Sequence, residues 1–463
     1  MSLIQKLSKY IPDVAGPSKK LGFNQKLKWT GITLLLYYIL LHIPLYGLGQ
    51  NALSQFKSLS TILGASFGSL ISLGIGPIVT ASIVLQLLSG SGILKIDLTK
   101  TEGRAAFQSM QKVFILLFVV FEAIVYVMMG GLAPAAGLAP GAYGFMQLML
   151  IIQLIVGGYM IVLMDGVVQK WGFGSGVSLF IAAGVSREIF IAAFSPFPSP
   201  LNPDVPVGRI PYLVQALGTG DVTGAMAAIV AIVATIGVFA LSVYGQSMKV
   251  EIPLSFGRIR GHGIRWPLKF MYTSNIPVIL IAALMANIQL WGRLLESWGK
   301  PLLGTFQNGI AASGLVKWVD SPSIVLSLIN KTMTSEMVLQ AIVYSFLLIA
   351  GSAFFSVLWV KTANMSAESQ AKQILSSGMQ IPGFRRDPRV LESILNRYIP
   401  GLTVMGGALV GLLAAFADLL GALSRGTGIL LAVMIVYKLY EDISREHAMD
   451  LHPALRKMMG GDK

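Results

Sequence analysis

The sequence predicts an all-α polytopic membrane protein: ten transmembrane helices in two inverted five-helix halves, with one re-entrant half-helix. Three observations carry this. The 463 residues are 54% hydrophobic and 12% charged, and their mean hydropathy is +0.71. Their apolar runs exceed the 4–8 residues of a buried strand many times over. Second, the 37 residues between Lys57 and Lys95 carry no charge, and Gly74-Ile-Gly76-Pro77 breaks them in two. At about 1.5 Å per helical residue that run stretches roughly 55 Å, against a hydrocarbon core of ~30 Å. It is too long for one span and too short for two. Third, five apolar segments precede the Pro-rich stretch Ser195–Pro211 and five follow it.

Taken in order, Met1–Lys28 carries six lysines and no apolar core, so it is not a cleavable signal. Leu3, Ile4, Leu7 and Ile11 share a helical face opposite Lys6 and Lys9. A helix lying on the membrane surface and a solvated tail both fit that pattern. Hydropathy then places spans at 29–48, 74–88, 113–130, 145–164, 176–194, 224–244, 270–291, 337–360, 401–423 and 427–440. Between the first two, Ser54–Ser69 reads as a half-helix that enters and returns, followed by the true span from Ile75 to Leu88. Irregular backbone survives at membrane depth only inside protein or beside a water-filled cavity, so the break points to a pathway. Five spans on each side of the linker make the halves enter from opposite sides, as in an inverted repeat. The units are therefore 1–195, the linker 196–211, and 212–463.

An even number of spans puts both termini on one side. That side carries 27 of the 35 Lys and Arg, which makes it cytoplasmic and the protein a multi-pass cell-membrane protein. It also carries 13 of the 21 acids, so the entire formal +14 belongs to that face. Two cytoplasmic loops concentrate the excess: Gln246–Lys269, with Lys249, Arg258 and Arg260, and Lys361–Pro400, with Arg385 and Arg386. Anionic lipid headgroups and a polyanionic partner such as a ribosome account for this charge equally well.

There is no cysteine, and the four histidines show no metal spacing. No phosphate loop or nucleophile motif appears, so no enzyme, metal or cofactor is expected. Gly172-Phe-Gly-Ser-Gly176 and Gly64-Ala-Ser-Phe-Gly68 suit close helix packing. Asn330-Lys-Thr332 is a glycosylation tripeptide too short to carry weight. Glu122 is the clearest intramembrane carboxylate, with Asp418 nearer a span end. Together with Thr80 and Asn287, Glu122 is a candidate for a polar patch in a helix seam, and an ordinary interhelical hydrogen bond remains the alternative. The aliphatic content permits a constriction of Ile, Val and Leu that excludes ions by dewetting. Sequence alone does not separate a pore-lining isoleucine from a packed one.

From Leu73-Gly-Ile-Gly-Pro-Ile-Val-Thr-Ala81 the chain resembles the archaeal SecY family, the pore subunit of the Sec protein-translocation channel. The resemblance continues in order through Lys28–Gly31, Gly174–Gly184, Ile252–Leu254, Gly257–Arg260, Ser274–Leu280, Ala286–Trp291, Ile381–Arg385, Asn396–Pro400 and Gly426–Leu431. It implies a central ring of Ile75, Val79, Val177, Ile181, Ile279 and Leu431, the last with Leu430 as its alternative. It implies a plug around Phe56, Leu59, Ile62, Leu63, Gly64 and Phe67, and a lateral gate containing Thr80, Glu122 and Asn287. Lys249, Arg258, Arg260, Arg385 and Arg386 would lie on ribosome-docking loops, where ribosomal RNA is the only nucleic acid in view. The implied partners are SecE-like and Secβ-like small membrane subunits, the ribosome, nascent polypeptide with its signal sequence, and anionic lipid. The expected activity is outward movement of unfolded polypeptide and sideways release of apolar segments. A secondary transporter of a small solute shares the broken helix, but requires several midplane charges that the spans lack. A membrane enzyme is a distant third.

Overall fold

The structure is a computed structural model. It describes residues 11–19, 21–51, 63–90, 93–94, 101–135, 137–199, 203–256, 263–307, 310–376, 379–380 and 388–451. All ten expected spans are helices: α1 Phe23–His42, α2 Gly76–Gly90, α3 Thr101–Met128, α4 Pro140–Trp171, α5 Gly176–Phe194, α6 Val222–Ser247, α7 Ile276–Ser297, α8 Ser335–Thr362, α9 Pro388–Leu419 and α10 Gly426–Leu451. Seven are long and apolar enough to cross a bilayer, and α2 is a shorter apolar helix. Their outward faces stay apolar. On α6, Val233, Ile236 and Phe239 are each more than half exposed, which suits a lipid solvent.

Several boundaries depart from the hydropathy reading, each for a local reason. α1 stops at His42 rather than residue 48 because Pro44 follows and disfavours helix before it. The chain then forms β1 (Leu48–Asn51), antiparallel to β2 (Leu132–Pro134). α4 continues to Trp171, past the expected 164, which brings Asp165 onto the helix. α9 begins at Pro388 rather than 401 and runs through Pro400. Its first turns are amphipathic: Leu391, Leu395, Ile399 and Leu402 are buried in a second apolar cluster with Ile252, Leu268, Ala371 and Ile374. That cluster holds the 367–376 helix and a hairpin of β3 (Lys249–Phe256) and β4 (Gly263–Lys269) against α9. β5 (Met379–Gln380) pairs with β3 through Phe256–Met379 and Ser255–Gln380, so one sheet joins the two long basic loops.

The expected half-helix 54–69 is not helical where it is described: Leu63–Ile75 runs as turns before α2 begins. Phe56, Leu59 and Ile62 lie outside the described residues, as do Leu3, Ile4 and Leu7 of the N-terminal segment. The described part of that segment, 11–19, is irregular and strapped onto α3 and α4. Asp13 accepts from Lys112 and, at 2.8 Å, from Lys170. Tyr159 and Trp171 donate to the carbonyls of Pro12 and Ala15 at 2.7 and 2.8 Å. Burial pushes the Asp13 carboxyl up, but the two ammonium groups outweigh it and hold it below the usual carboxylate range.

The first five spans form one bundle through α1–α4, α2–α3 and α3–α4 packing, and the last five form another through α7–α8, α8–α9 and α9–α10. The bundles meet where α5 packs on α10 and where α2 packs on α7 and α8. α1 also touches α10, where Lys26 bonds Glu446 at 2.5 Å.

Candidate pore and lateral seam

A cavity of about 390 Å³ opens between the bundles. Its walls include polar groups, among them Ser82, Gln86, Gln111, Ser178 and Asn275. The lining also includes the aliphatic Val79, Val177 and Ile279. One helical turn away on the same faces lie Ile75 (four residues before Val79), Ile181 (four after Val177) and Leu431 (four before Ile435, also in the lining). Ile75, Ile181 and Leu431 are at most 1% exposed, and Val79 and Ile279 at most 5%. Ile75, Val79, Ile181, Ile279 and Leu431 are buried in the main apolar core, and the half-buried Val177 packs against it. Leu431 shares a helical face with Ile435, and its alternative Leu430 is buried too, at 1% exposed.

The segment before α2 sits on this core. The Ile75 amide donates to the Leu63 carbonyl at 2.8 Å, and Leu63 is 1% exposed. The Gly64 carbonyl accepts from Tyr37 Oη at 3.0 Å, while Tyr37 stacks on Phe180 with ring centroids 4.6 Å apart. Phe67 packs edge-on to Tyr126, and its carbonyl accepts from Asn51 at 3.0 Å. The break itself needs glycine. Gly74 has φ +53°, and a Cβ there would lie 2.3 Å from the Leu63 carbonyl oxygen.

The three expected seam residues also come together. Asn287 on α7 donates to Thr80 Oγ1 on α2 at 3.1 Å. The same hydroxyl lies 3.2 Å from Glu122 Oε1 on α3 and 2.9 Å from the Gly76 carbonyl in its own helix. Glu122 is 5% exposed, and its Oε2 has no hydrogen-bond partner among the described residues. Beside them Phe121 of α3 stacks on Trp291 of α7, with centroids 5.7 Å apart. The α2/α3–α7 contact is thus a polar core flanked by an aromatic pair, and among the described residues no ion pair crosses it.

Of the expected loop residues, Lys249 is exposed on β3 and paired with Glu251 at 3.3 Å. Arg258, Arg260, Arg385 and Arg386 lie outside the described residues. Sequence reading missed a polar network within the C-terminal bundle that also takes in Gln289 of α7. Arg425, between α9 and α10, bonds Asp320 at 2.7 Å, and Gln340 of α8 holds the Lys317 and Asp320 carbonyls at 2.9 and 3.0 Å. No motif marks that segment, because its polar groups are spread over more than a hundred residues of chain.

The SecY family model matches residues 69–440. The protein translocase subunit SecY of Methanothermobacter thermautotrophicus is 46% identical over 454 residues, covering 97% of each chain. Two solved structures superpose over 97% of this chain and 99% of theirs, each at 42% identity. One, described as the structure of a protein conducting channel, gives a TM-score of 0.83. The other, Sec61 in the canine ribosome-channel complex, gives 0.81. With Val79, Val177 and Ile279 lining its cavity and Asn287, Thr80 and Glu122 meeting between α7, α2 and α3, the chain belongs to the SecY family.

Proposed function

We propose that this chain is the central subunit of a protein-conducting channel that moves unfolded secretory polypeptides across the cell membrane and releases hydrophobic segments sideways into lipid. The observation that supports this reading is a cavity with polar walls whose aliphatic lining, Val79, Val177 and Ile279, adjoins the buried core on which Leu63 and Gly64 pack. A narrow aliphatic closure repels ions, since it offers nothing to replace their hydration shell, yet yields around a passing chain without binding it. The Leu63–Gly68 segment is the plug in this reading. The α2/α3–α7/α8 seam is the lateral gate: an apolar segment of ~20 residues meeting an open seam prefers lipid, and a polar one stays in the aqueous path. A small-solute transporter would bind its cargo at fixed midplane charges. The aliphatic closure and the named relatives favour the channel instead.

The functional units in this reading are residues 1–195 and 212–463, joined by the linker 196–211. Both termini face the cytoplasm, a placement supported by the 27 basic residues on that side. Small single-span subunits of SecE and Secβ type and anionic lipid border the helices. The ribosome docks on the loops that β3 and β5 tie together, with Lys249, Arg258, Arg260, Arg385 and Arg386 facing its RNA.

The test uses proteoliposomes of the complex and ribosomes carrying a nascent secretory chain. That chain is expected to become protease-protected in the wild-type vesicles. Reversing Arg260 and Arg385 together is expected to cut ribosome binding about tenfold at low salt, with the difference shrinking as salt rises. Undiminished binding would assign those loops to lipid.

A further inference from the structure

Two buried carboxylates take no part in the seam. Asp165 is 8% exposed and Asp418 is 7%. Asp165, near the end of α4, reaches across to the start of α5: Oδ1 accepts from the Val177 amide at 3.0 Å, and Oδ2 from Gln169 at 2.7 Å. Asp418, near the end of α9, does the same for α10. Its Oδ1 accepts from the Thr427 amide at 2.8 Å, and its Oδ2 from Tyr344 Oη at 2.5 Å and from the Thr427 hydroxyl. The residue preceding α5, Ser175, makes no capping hydrogen bond of its own. In each case a carboxylate on the previous span satisfies an amide that the helix start leaves open.

The two arrangements correspond from the helix start onward, although the carboxylate precedes its capped amide by 12 residues in one half and 9 in the other. Gly176 and Gly426 open their helices, and each touches the preceding span. A Cβ on Gly176 would fall 2.6 Å from Asp165 Cα, and one on Gly426 would fall 2.1 Å from the carbonyl carbon of Ala417. The capped amides belong to the next residues, Val177 and Thr427. Ile181 and Leu431 follow each capped amide by four residues, one turn along. A Cβ on Gly174 would approach Leu439 to 4.0 Å, and one on Gly428 would approach Val185 to 3.4 Å. α5 and α10 are therefore antiparallel, with Ile181 and Leu431 lying between those two contacts along their helices.

We propose that Asp165 and Asp418 are a matched pair of positioning residues, one in each half, that fix the depth of Ile181 and Leu431 by fastening each ring helix to the span before it. A cap carried by the helix itself would stabilise its first turn but leave it free to slide. A cap from the neighbouring helix makes α4–α5 and α9–α10 two rigid units, so that opening displaces whole pairs and leaves each ring residue in place within its pair. The proposal rests on the channel reading of the ring.

The test measures chloride efflux and thermal midpoint on the reconstituted full-length chain. Asp165→Ala and Asp418→Ala are each expected to raise efflux about fivefold, the factor that corresponds to a typical lost cap. Adding Ser175→Asp to Asp165→Ala supplies a cap from α5 itself. It is expected to restore the thermal midpoint and not the efflux, whereas recovery of both would reduce Asp165 to a stability role and overturn the proposal. If an alanine variant does not fold, Asp165→Glu and Asp418→Glu keep the acceptor but displace it by one methylene, and raised efflux is again expected. Wild-type efflux in folded variants, alongside a leaking Ile181→Asn, would overturn the proposal while leaving the ring intact. A tight Ile181→Asn would remove the ring reading and the proposal with it.

Discussion

Ile75→Asn combined with Ile279→Asn is expected to raise the resting ion leak of the reconstituted channel about a hundredfold. Burying one isoleucine side chain is worth ~1.5–3 kcal/mol relative to water, and the same aliphatic surface sets the cost of wetting the constriction. Losing it at two positions lowers that cost by about 3 kcal/mol, or two decades in occupancy by water and ions. The covering segment acts in the same direction. Leu63 and Gly64 rest directly on Ile75, where a Cβ on Gly64 would stand 3.6 Å from Ile75 Cγ2. An amide placed beneath them meets no partner, at a cost of ~1–3 kcal/mol, and loosens the cover. Ile75→Leu and Ile279→Leu conserve volume and apolarity and are expected to stay within about twofold of wild type. Efflux from ion-loaded vesicles checks the pair, and an unchanged leak would mean the seal lies elsewhere.

Asn287→Leu is expected to raise the hydrophobicity that a segment needs for lateral insertion. Two effects compete. The substitution removes the Asn287–Thr80 hydrogen bond across the seam, and such intramembrane bonds are worth only ~0.6 kcal/mol on average. It also places a leucine where an open seam meets the aqueous path, which costs ~1.5–3 kcal/mol. The second effect wins, so the closed seam gains by about 1–2 kcal/mol. Thr80 is not orphaned, because it keeps the Gly76 carbonyl and Glu122. Leucine contributes about 0.5 kcal/mol per residue to insertion, so the midpoint for a graded Leu/Ala series is expected to move by two to four leucines. An unmoved midpoint would remove Asn287 from the gate.

The spans, their number and the break at Gly74–Pro77 were legible because apolar length and a helix-breaking Gly-x-Gly-Pro are local signals. Glu122, Thr80 and Asn287 stood out as polar groups in apolar runs, and the fold brings them within hydrogen-bonding distance. The ring residues were not separable from packed aliphatics by pattern and rested on the family resemblance. In the structure Val79, Val177 and Ile279 line one cavity, while Ile75, Ile181 and Leu431 lie four residues from lining positions. Asp165 was hidden because the charged end of α4 looked like loop, although Gln169 and Lys170 continue the helical face. The start of α9 was hidden behind Pro400, while the spacing of Leu391, Leu395 and Ile399 carried an amphipathic signal that hydropathy averaging erased. The β3–β5 pairing left no local trace, since it joins two residues to a strand more than a hundred positions away.

The most direct measurement places a photocrosslinker at Ile181 and, separately, at the outward-facing Phe346 of α8, which is 67% exposed. A secretory polypeptide is then stalled midway through the reconstituted complex. A channel whose path runs through the ring captures the stalled chain from Ile181 and not from Phe346. Capture from Phe346 alone would mean that the chain crosses outside the ring and would contradict the pathway described here.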